Sequence, residues 1–190
     1  MVKNILLNGV GGQGILLVSE ILVEAFLLAG YDVKKNEIHG MSQRGGIVNS
    51  HIRYGDKIYS PTIPYGEADI IISFEYCEAL RFLGYLKNNG IIIFNTQKII
   101  PISVSTGKFN YPENVEEIIQ KLNIKYDKFD AFEYAKEFGL PKASNIALLA
   151  YSSKYFQEID DFIWEKALRK YIKEKYFEKN FEIFNNLRKK

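Results

Sequence analysis

Short unbroken apolar runs alternate with longer helical stripes through the first half of the chain. Ile5 to Leu7 is a brief apolar run ending at Asn8-Gly9, the pattern of a buried parallel strand. From Ile15 the positions Leu16, Ile21, Leu22, Ala25, Phe26 and Ala29 keep helical spacing, and Gly30 supplies a stop. Tyr31 to Ile38 reads as a second strand, and its polar Lys34-Lys35-Asn36 stretch suits a sheet edge or end. Ile47 to Tyr54 and Lys57 to Tyr59 flank Gly55-Asp56 and predict a hairpin, which makes the sheet mixed. Asp69 to Phe74 is the clearest buried strand. Glu75 to Leu86 follows as a helix, and Asn88-Asn89-Gly90 turns the chain into another buried strand, Ile91 to Phe94. Ile124 to Phe132 predicts a further strand. From Lys142 onward the pattern is helical: Ala143 to Phe156, Phe162 to Tyr176, and a last piece ending at Leu187.

This succession predicts an α/β protein: a three-layer α/β/α, Rossmann-like fold with a mixed, mostly parallel sheet and a helical C-terminal segment from about residue 143. No repeat or linker divides residues 1–190, so a single domain is expected. Hydrophobic residues make up 47% and charged residues 25%, as in an ordinary soluble domain. A formal net charge of +2 gives no reason to expect a nucleic-acid or membrane partner. No apolar run approaches the ~18 residues of a membrane span, and the N-terminal run is too brief for a signal peptide, so a cytoplasmic protein is expected. Thirteen Tyr and 13 Phe fit either core packing or a partner-facing surface. Between Lys166 and Lys190 nine Lys/Arg stand against three Glu, which reads as a solvated helix face or as a surface for an acidic partner.

Cys77 is the only cysteine, which excludes an intrachain disulfide and a cluster held by four thiolates. With Glu75 and Glu78 nearby it has no electropositive neighbour, and a small buried thiol is expected rather than a nucleophile. His39 and His51 are the only histidines, too few for a histidine-rich metal site. Neither paired carboxylates nor a G-x-S-x-G elbow occurs.

Two stretches carry candidate chemistry. Gly9-Val10-Gly11-Gly12-Gln13-Gly14 satisfies G-x-G-x-x-G between a predicted strand and helix, the context in which such a turn aims helix N–H groups at an anion. The acid expected near the end of the second strand for ribose binding is replaced by Val33-Lys34-Lys35-Asn36-Glu37, with Glu37 a poorly placed substitute. That disfavours a nicotinamide dinucleotide. A phosphate or carboxylate site, such as one for the pyrophosphate of coenzyme A, and a turn that only packs helix on strand both remain open. The second stretch, His39-Gly40-Met41-Ser42-Gln43-Arg44-Gly45-Gly46, sets an imidazole, a hydroxyl, an amide and a guanidinium among three glycines. Arg44 could grip a ligand or partner carboxylate bidentately, whereas His39 suits a capping role. Glu75, just past the Ile-rich strand, is either a sheet-end functional acid or a cap for the following helix.

Together with Ser60-Pro61, Ala68-Asp69, Phe74-Glu75, Glu78-Ala79-Leu80-Arg81 and Ala143-Ser144-Asn145-Ile146-Ala147-Leu148-Leu149, these stretches resemble the gamma-type domain of 2-oxoacid:ferredoxin oxidoreductases. Within that family the His-Gly-Met-Ser-Gln-Arg-Gly-Gly form is similar to the indolepyruvate oxidoreductase beta subunits. The resemblance implies a small subunit with no chemical-step residue of its own. A large (alpha) subunit would carry thiamine diphosphate and [4Fe-4S] clusters, with coenzyme A as co-substrate, ferredoxin as electron acceptor and an arylpyruvate as substrate. It also implies that Gly9, Gly11, Gly12, Gln13, Gly14, Gln43, Arg44 and Gly45 close the coenzyme A or substrate site. Apolar surface exposed without the partner would let the isolated chain self-associate. The rival readings are the gamma subunit of another 2-oxoacid oxidoreductase, a stand-alone Rossmann-like nucleotide-binding protein, and a non-catalytic assembly module.

Overall fold

The computed structural model describes residues 2–39, 46–100, 102–108 and 110–189. The elements run β1 (Lys3–Val10), α1 (Ile15–Leu28), β2 (Asp32–His39), β3 (Ile47–Gly55), β4 (Ala68–Ser73), α2 (Glu78–Arg81) and β5 (Leu86–Asn95). They continue with α3 (Ile102–Ser105), α4 (Val115–Lys121), β6 (Lys125–Phe129), α5 (Ala131–Glu137), α6 (Ser144–Ser152), α7 (Asp161–Tyr171) and α8 (Glu174–Arg188). One six-stranded sheet has the order β2-β3-β1-β4-β5-β6. β1, β4, β5 and β6 are parallel, with registers such as Leu6↔Ile71↔Ile92↔Tyr126.

β3 is antiparallel to both β1 and β2, which makes the sheet mixed as expected but for a different reason. The predicted hairpin of Ile47–Tyr54 with Lys57–Tyr59 does not form. The antiparallel pair is β2 with β3, because the short connection between them cannot make the crossover that a parallel pair needs. Residues 57–59 form no strand; the Ile58 N–H instead donates to Asp32 Oδ2 at 2.7 Å, and the side chain is buried.

Strand alternation divides the interior. Ile5, Leu7, Ile52, Tyr54, Ile72 and Ile93 face a cluster with α1, α5, α6, α7 and α8. There Phe26 stacks on Tyr54 at 3.7 Å between ring centroids, and Phe156, Trp164 and Phe184 extend the aromatic contact. Leu6, Ile71, Ile92 and Phe94 face the other way, onto α2, α4 and Ile63 of the 56–67 segment. The three layers are therefore present, with one thick and one thin helical side.

The Glu75–Leu86 helix is reduced to α2 and a 3-10 turn at Leu83–Tyr85, because the Tyr76 N–H is drawn to the Gln97 carbonyl at 3.0 Å. Asn88-Asn89-Gly90 lies inside β5 rather than before it. The register slips opposite Ala68–Ile70, Asn89 takes φ +70°, and a Cβ on Gly90 would sit 3.0 Å from the Ala68 carbonyl. The predicted strand 124–132 stops at Phe129. Asp130 then caps α5 by accepting from the Glu133 N–H at 2.9 Å.

Candidate functional site

The first glycine stretch crosses from the end of β1 into α1. Gly9 lies within β1, where a Cβ would come 2.6 Å from Gln13 Oε1 and 3.0 Å from Phe74 Cβ. Gly12 and Gly14 take φ of +102° and +75°, and a Cβ on Gly14 would collide with the Asn145 amide. Gln13 is spent internally: its Oε1 accepts from the Val10 N–H at 2.8 Å and its Nε2 donates to the Phe74 carbonyl at 2.7 Å. This side chain orders the turn and ties it to the end of β4, rather than pointing at a ligand. The N–H groups of Gly12, Gly14, Ile15, Leu16 and Leu17 find no acceptor among the described residues. α1 has neither a side-chain cap nor an acidic residue in its first turn, so this end of the helix dipole is open to an anion.

A cleft of about 560 Å³ opens over this turn at the C-terminal ends of β1 and β5, where α/β sheets bind ligands. Gln97 and Ile99 beyond β5 form one wall, and Lys142, Ser144 and Asn145 at the start of α6 form the other. The sequence reading missed these five residues as site members. Asn145 donates to the Gly14 carbonyl at 3.4 Å, so the helical C-terminal half closes directly on the glycine turn. Lys142 is exposed and makes no ion pair among the described residues, which leaves a free cation at the mouth of the cleft. Nothing in the local pattern around Gln97 marks it; only the pairing of β5 beside β4 brings it there.

The Gln97–Ile99 wall hangs on Glu75. This fully buried carboxylate accepts from the N–H groups of Cys77 (2.8 Å) and Glu78 (3.1 Å) through Oε2. Through Oε1 it accepts from the Ile99 N–H (2.9 Å) and the Tyr111 hydroxyl (2.5 Å). Of its two expected roles, then, capping is the one the geometry carries, extended to a second segment. Burial, and then the carboxylate beside it, push the Cys77 thiol up to about 12, which keeps it protonated, although the residue is half-buried rather than buried as expected. Burial and the same carboxylate also raise the Tyr111 phenol. Ligand atoms of Glu75, Cys77 and Glu78 lie within 4.8 Å of one another, but both Glu75 oxygens are occupied and Glu78 grips Arg81 at 2.6 and 2.9 Å. The trio is a satisfied structural knot.

Gln43, Arg44 and Gly45 lie outside the described residues, as does the side chain of His39. The ends of their segment are described: the Gly11 N–H donates to the Gly46 carbonyl at 2.8 Å, so the second stretch re-enters the sheet against the glycine turn. Against a nicotinamide dinucleotide stands the strand order. β3 separates β2 from β1, and the end of β2 is two strand spacings, about 10 Å, from the turn. Glu37 there already accepts from Lys35 at 2.7 Å and Ser19 at 3.3 Å.

The C-terminal positive charge is partly used internally. Lys170 pairs with Glu24 at 2.6 Å, Arg169 lies between Glu165 and Glu174, and Arg188 reaches Asp161 at 2.5 Å. No helix among the described residues is long and apolar enough to cross a membrane.

Comparison with known proteins agrees with the fold and sharpens it. Residues 4–189 match the family described as pyruvate ferredoxin/flavodoxin oxidoreductase. The chain is 44% identical to the indolepyruvate oxidoreductase subunit IorB of Pyrococcus horikoshii, over 77% of this chain and 74% of that protein. It is 40% identical to the subunit of the same name from Archaeoglobus fulgidus, over 94% and 90%. In three dimensions it is similar to pyruvate oxidoreductase subunit PORC of Thermotoga maritima, with a TM-score of 0.72 and 19% identity over 100% of this chain and 96% of that one. On this evidence the chain belongs to the pyruvate ferredoxin/flavodoxin oxidoreductase family.

Proposed function

We propose that this chain is the small subunit of an indolepyruvate:ferredoxin oxidoreductase, a cytoplasmic complex that converts an aryl 2-oxoacid and coenzyme A to aryl-acetyl coenzyme A and carbon dioxide. The two electrons released pass to ferredoxin. The observation that carries this reading is 40–44% identity over most of the chain to subunits bearing that name. Thiamine diphosphate and the [4Fe-4S] clusters belong, in this reading, to the large subunit; a chain with one cysteine has no thiolate set for a cluster.

This chain contributes a binding surface. The open N–H groups at Gly12, Gly14 and the first turn of α1, with Lys142 above them, form a cradle suited to a phosphate or carboxylate of coenzyme A or oxoacid. Gly9 and Gln13 hold that cradle in shape, and Gly11 joins it to the second stretch at Gly46. Gln43, Arg44 and Gly45 complete the closure from there, with Arg44 gripping the anion.

The test is anaerobic co-expression with the large subunit, purification through a tag on this chain, and assay of arylpyruvate- and coenzyme A-dependent viologen reduction. A brown complex, active only with both subunits, is expected. Arg44→Ala in that complex should raise the apparent KM for coenzyme A or oxoacid about tenfold or more, the scale of a lost charge-assisted hydrogen bond. Unchanged kinetics in an intact complex would reject the role of Arg44.

A further inference from the structure

Beside the glycine cleft, on the helical side of the sheet, a second concavity of about 670 Å³ lies between α1, the turn leading into α6, and the α7–α8 junction. Its size is in the range of small-molecule sites. Leu17, Leu140, Ala143 and Ile172 make an apolar floor, and the rings of Tyr171 and Tyr176 stand at its side. Neither phenol donates a hydrogen bond among the described residues. Asn180 is 8% exposed; its Nδ2 donates to the Tyr176 carbonyl at 2.8 Å, and its Oδ1 takes no donor among the described residues.

The charge around this groove has one sign. Lys142 and Lys173 line it, and neither has an ion-pair partner among the described residues. No Asp or Glu lines it, and the adjacent Glu174 is directed to Arg169 at 3.6 Å. Of the lysines on α7 and α8, Lys170 is 2.6 Å from Glu24, whereas Lys166, Lys175 and Lys179 make no ion pair among the described residues, so what sets Lys142 and Lys173 apart is their place at the rim of this groove. Two cations left without carboxylates beside an apolar, aromatic floor form a complement to a flat organic anion.

We propose that this groove is a ligand site for an aromatic anion, its ring against Leu17, Ile172 and Tyr171 and its negative group between Lys142 and Lys173. The site shares Lys142 and Asn145 with the glycine cleft, while Lys173, Tyr171, Ile172 and Leu17 belong to this groove alone, so Lys173 is the residue that separates the two. An aromatic anion can come from a nucleotide or from an aryl carboxylate, and the probes are chosen to separate them.

The experiment is calorimetric titration of the full chain with 5′-adenosine monophosphate and with indole-3-acetate, against adenosine and inorganic phosphate as half-ligands. At least one of the two aromatic anions should bind saturably, tighter than about 1 mM, with both half-ligands at least tenfold weaker. Whichever anion binds more tightly names the source. Lys173→Glu, at an exposed position where thermal stability should be retained, should weaken that anion at least about tenfold, and Tyr176→Ala severalfold. Absence of saturable binding to both anions at about 10 mM overturns the proposal, as does adenosine binding as well as its monophosphate. So does affinity that survives Lys173→Glu but is lost in Gly12→Asp, which would place the anion in the glycine cleft instead.

Discussion

The two faces of the sheet are built on different principles. The thick face is mainly apolar: Phe26, Tyr54, Phe156, Trp164, Phe177 and Phe184 interlock with Ile and Leu from β1, α1 and α6, and the buried hydroxyls of Ser19, Ser152 and Ser153 bond to carbonyls of their own helical turns. On the thin face a row of polar groups crosses the strands. Ser73 donates to Asn8 Oδ1 at 2.5 Å, Asn8 Nδ2 donates to the Glu78 carbonyl at 2.6 Å, and His51 accepts from the Ile63 N–H at 3.1 Å. Glu75 lies at the same end with its four donors. Apolar burial is non-directional, so the thick face supplies stability without fixing any one loop. Hydrogen bonds are directional and costly to break, so the thin face fixes where the segments around Tyr76, Gln97 and Ile99 run. In this molecule stability and positioning are largely assigned to opposite sides of one sheet.

Mutations on the two faces should therefore fail differently, and the largest effect belongs to the thick one. Phe26→Ala removes a fully buried ring stacked on Tyr54 and should cost about 3–5 kcal/mol of global stability. Chemical denaturation followed by Trp164, the single tryptophan and itself buried in the same cluster, reads this directly. A loss below about 1 kcal/mol would show that this face is not the stability reservoir. Glu75→Ala should cost less globally, about 2–3 kcal/mol, because it strands buried donors rather than opening the main core. Its signature is local: the Ile99 amide should exchange with solvent well ahead of amides in β1. Glu75→Gln, which keeps an acceptor oxygen, should restore part of that protection. Uniform loss of protection in both variants would erase the distinction between the faces.

The thick face was largely legible in the sequence, and the thin face was not. The period of Ile21, Leu22, Ala25 and Phe26, and the run Ile70-Ile71-Ile72, mark α1 and β4 because local burial writes itself into spacing. The glycine turn was legible too, since Gly12 and Gly14 occupy conformations that other residues avoid. Opaque were the features set by strand order. β3 was expected to pair forward with Lys57–Tyr59; it pairs with β2 and β1, and no local spacing encodes that choice. Gln97 and Lys142 reach the cleft through the assembly of β5 and α6, from positions far along the chain from Gly12. Gln13 looked like a ligand residue because it sits inside the motif, although its amide closes the turn on itself. One local signal was present and overlooked: Asp130 and Glu133 have the spacing of a helix start, which would have ended the strand at Phe129.

Acid separates the two faces most finely, with the smallest effect. His51 Nδ1 accepts the Ile63 N–H, so its proton lies on Nε2, which has no hydrogen-bond partner among the described residues, and the ring is edge-on to Tyr85 at 5.3 Å and 90°. Burial holds its pKa below the ordinary histidine value. The folded state thus resists a proton that the unfolded chain accepts at about pH 6.5, and stability falls as pH drops through that value until the lowered folded pKa is reached. The thick face responds lower on the scale. Burial works against the charged forms of Asp127 and Glu158, but hydrogen bonds outweigh it and hold both carboxylates below their usual range: to Asp127 from Lys154, Tyr151 and Tyr155, and to Glu158 from Tyr54 and Lys3. Their contribution is lost only as pH falls through the carboxylate region, below about 4.5. Denaturation midpoints should therefore decline between about pH 7 and 5.5, and that decline should flatten in His51→Gln while any fall below about pH 4.5 persists. A decline unchanged in His51→Gln would assign it elsewhere and would remove the thin face's separate response to acid.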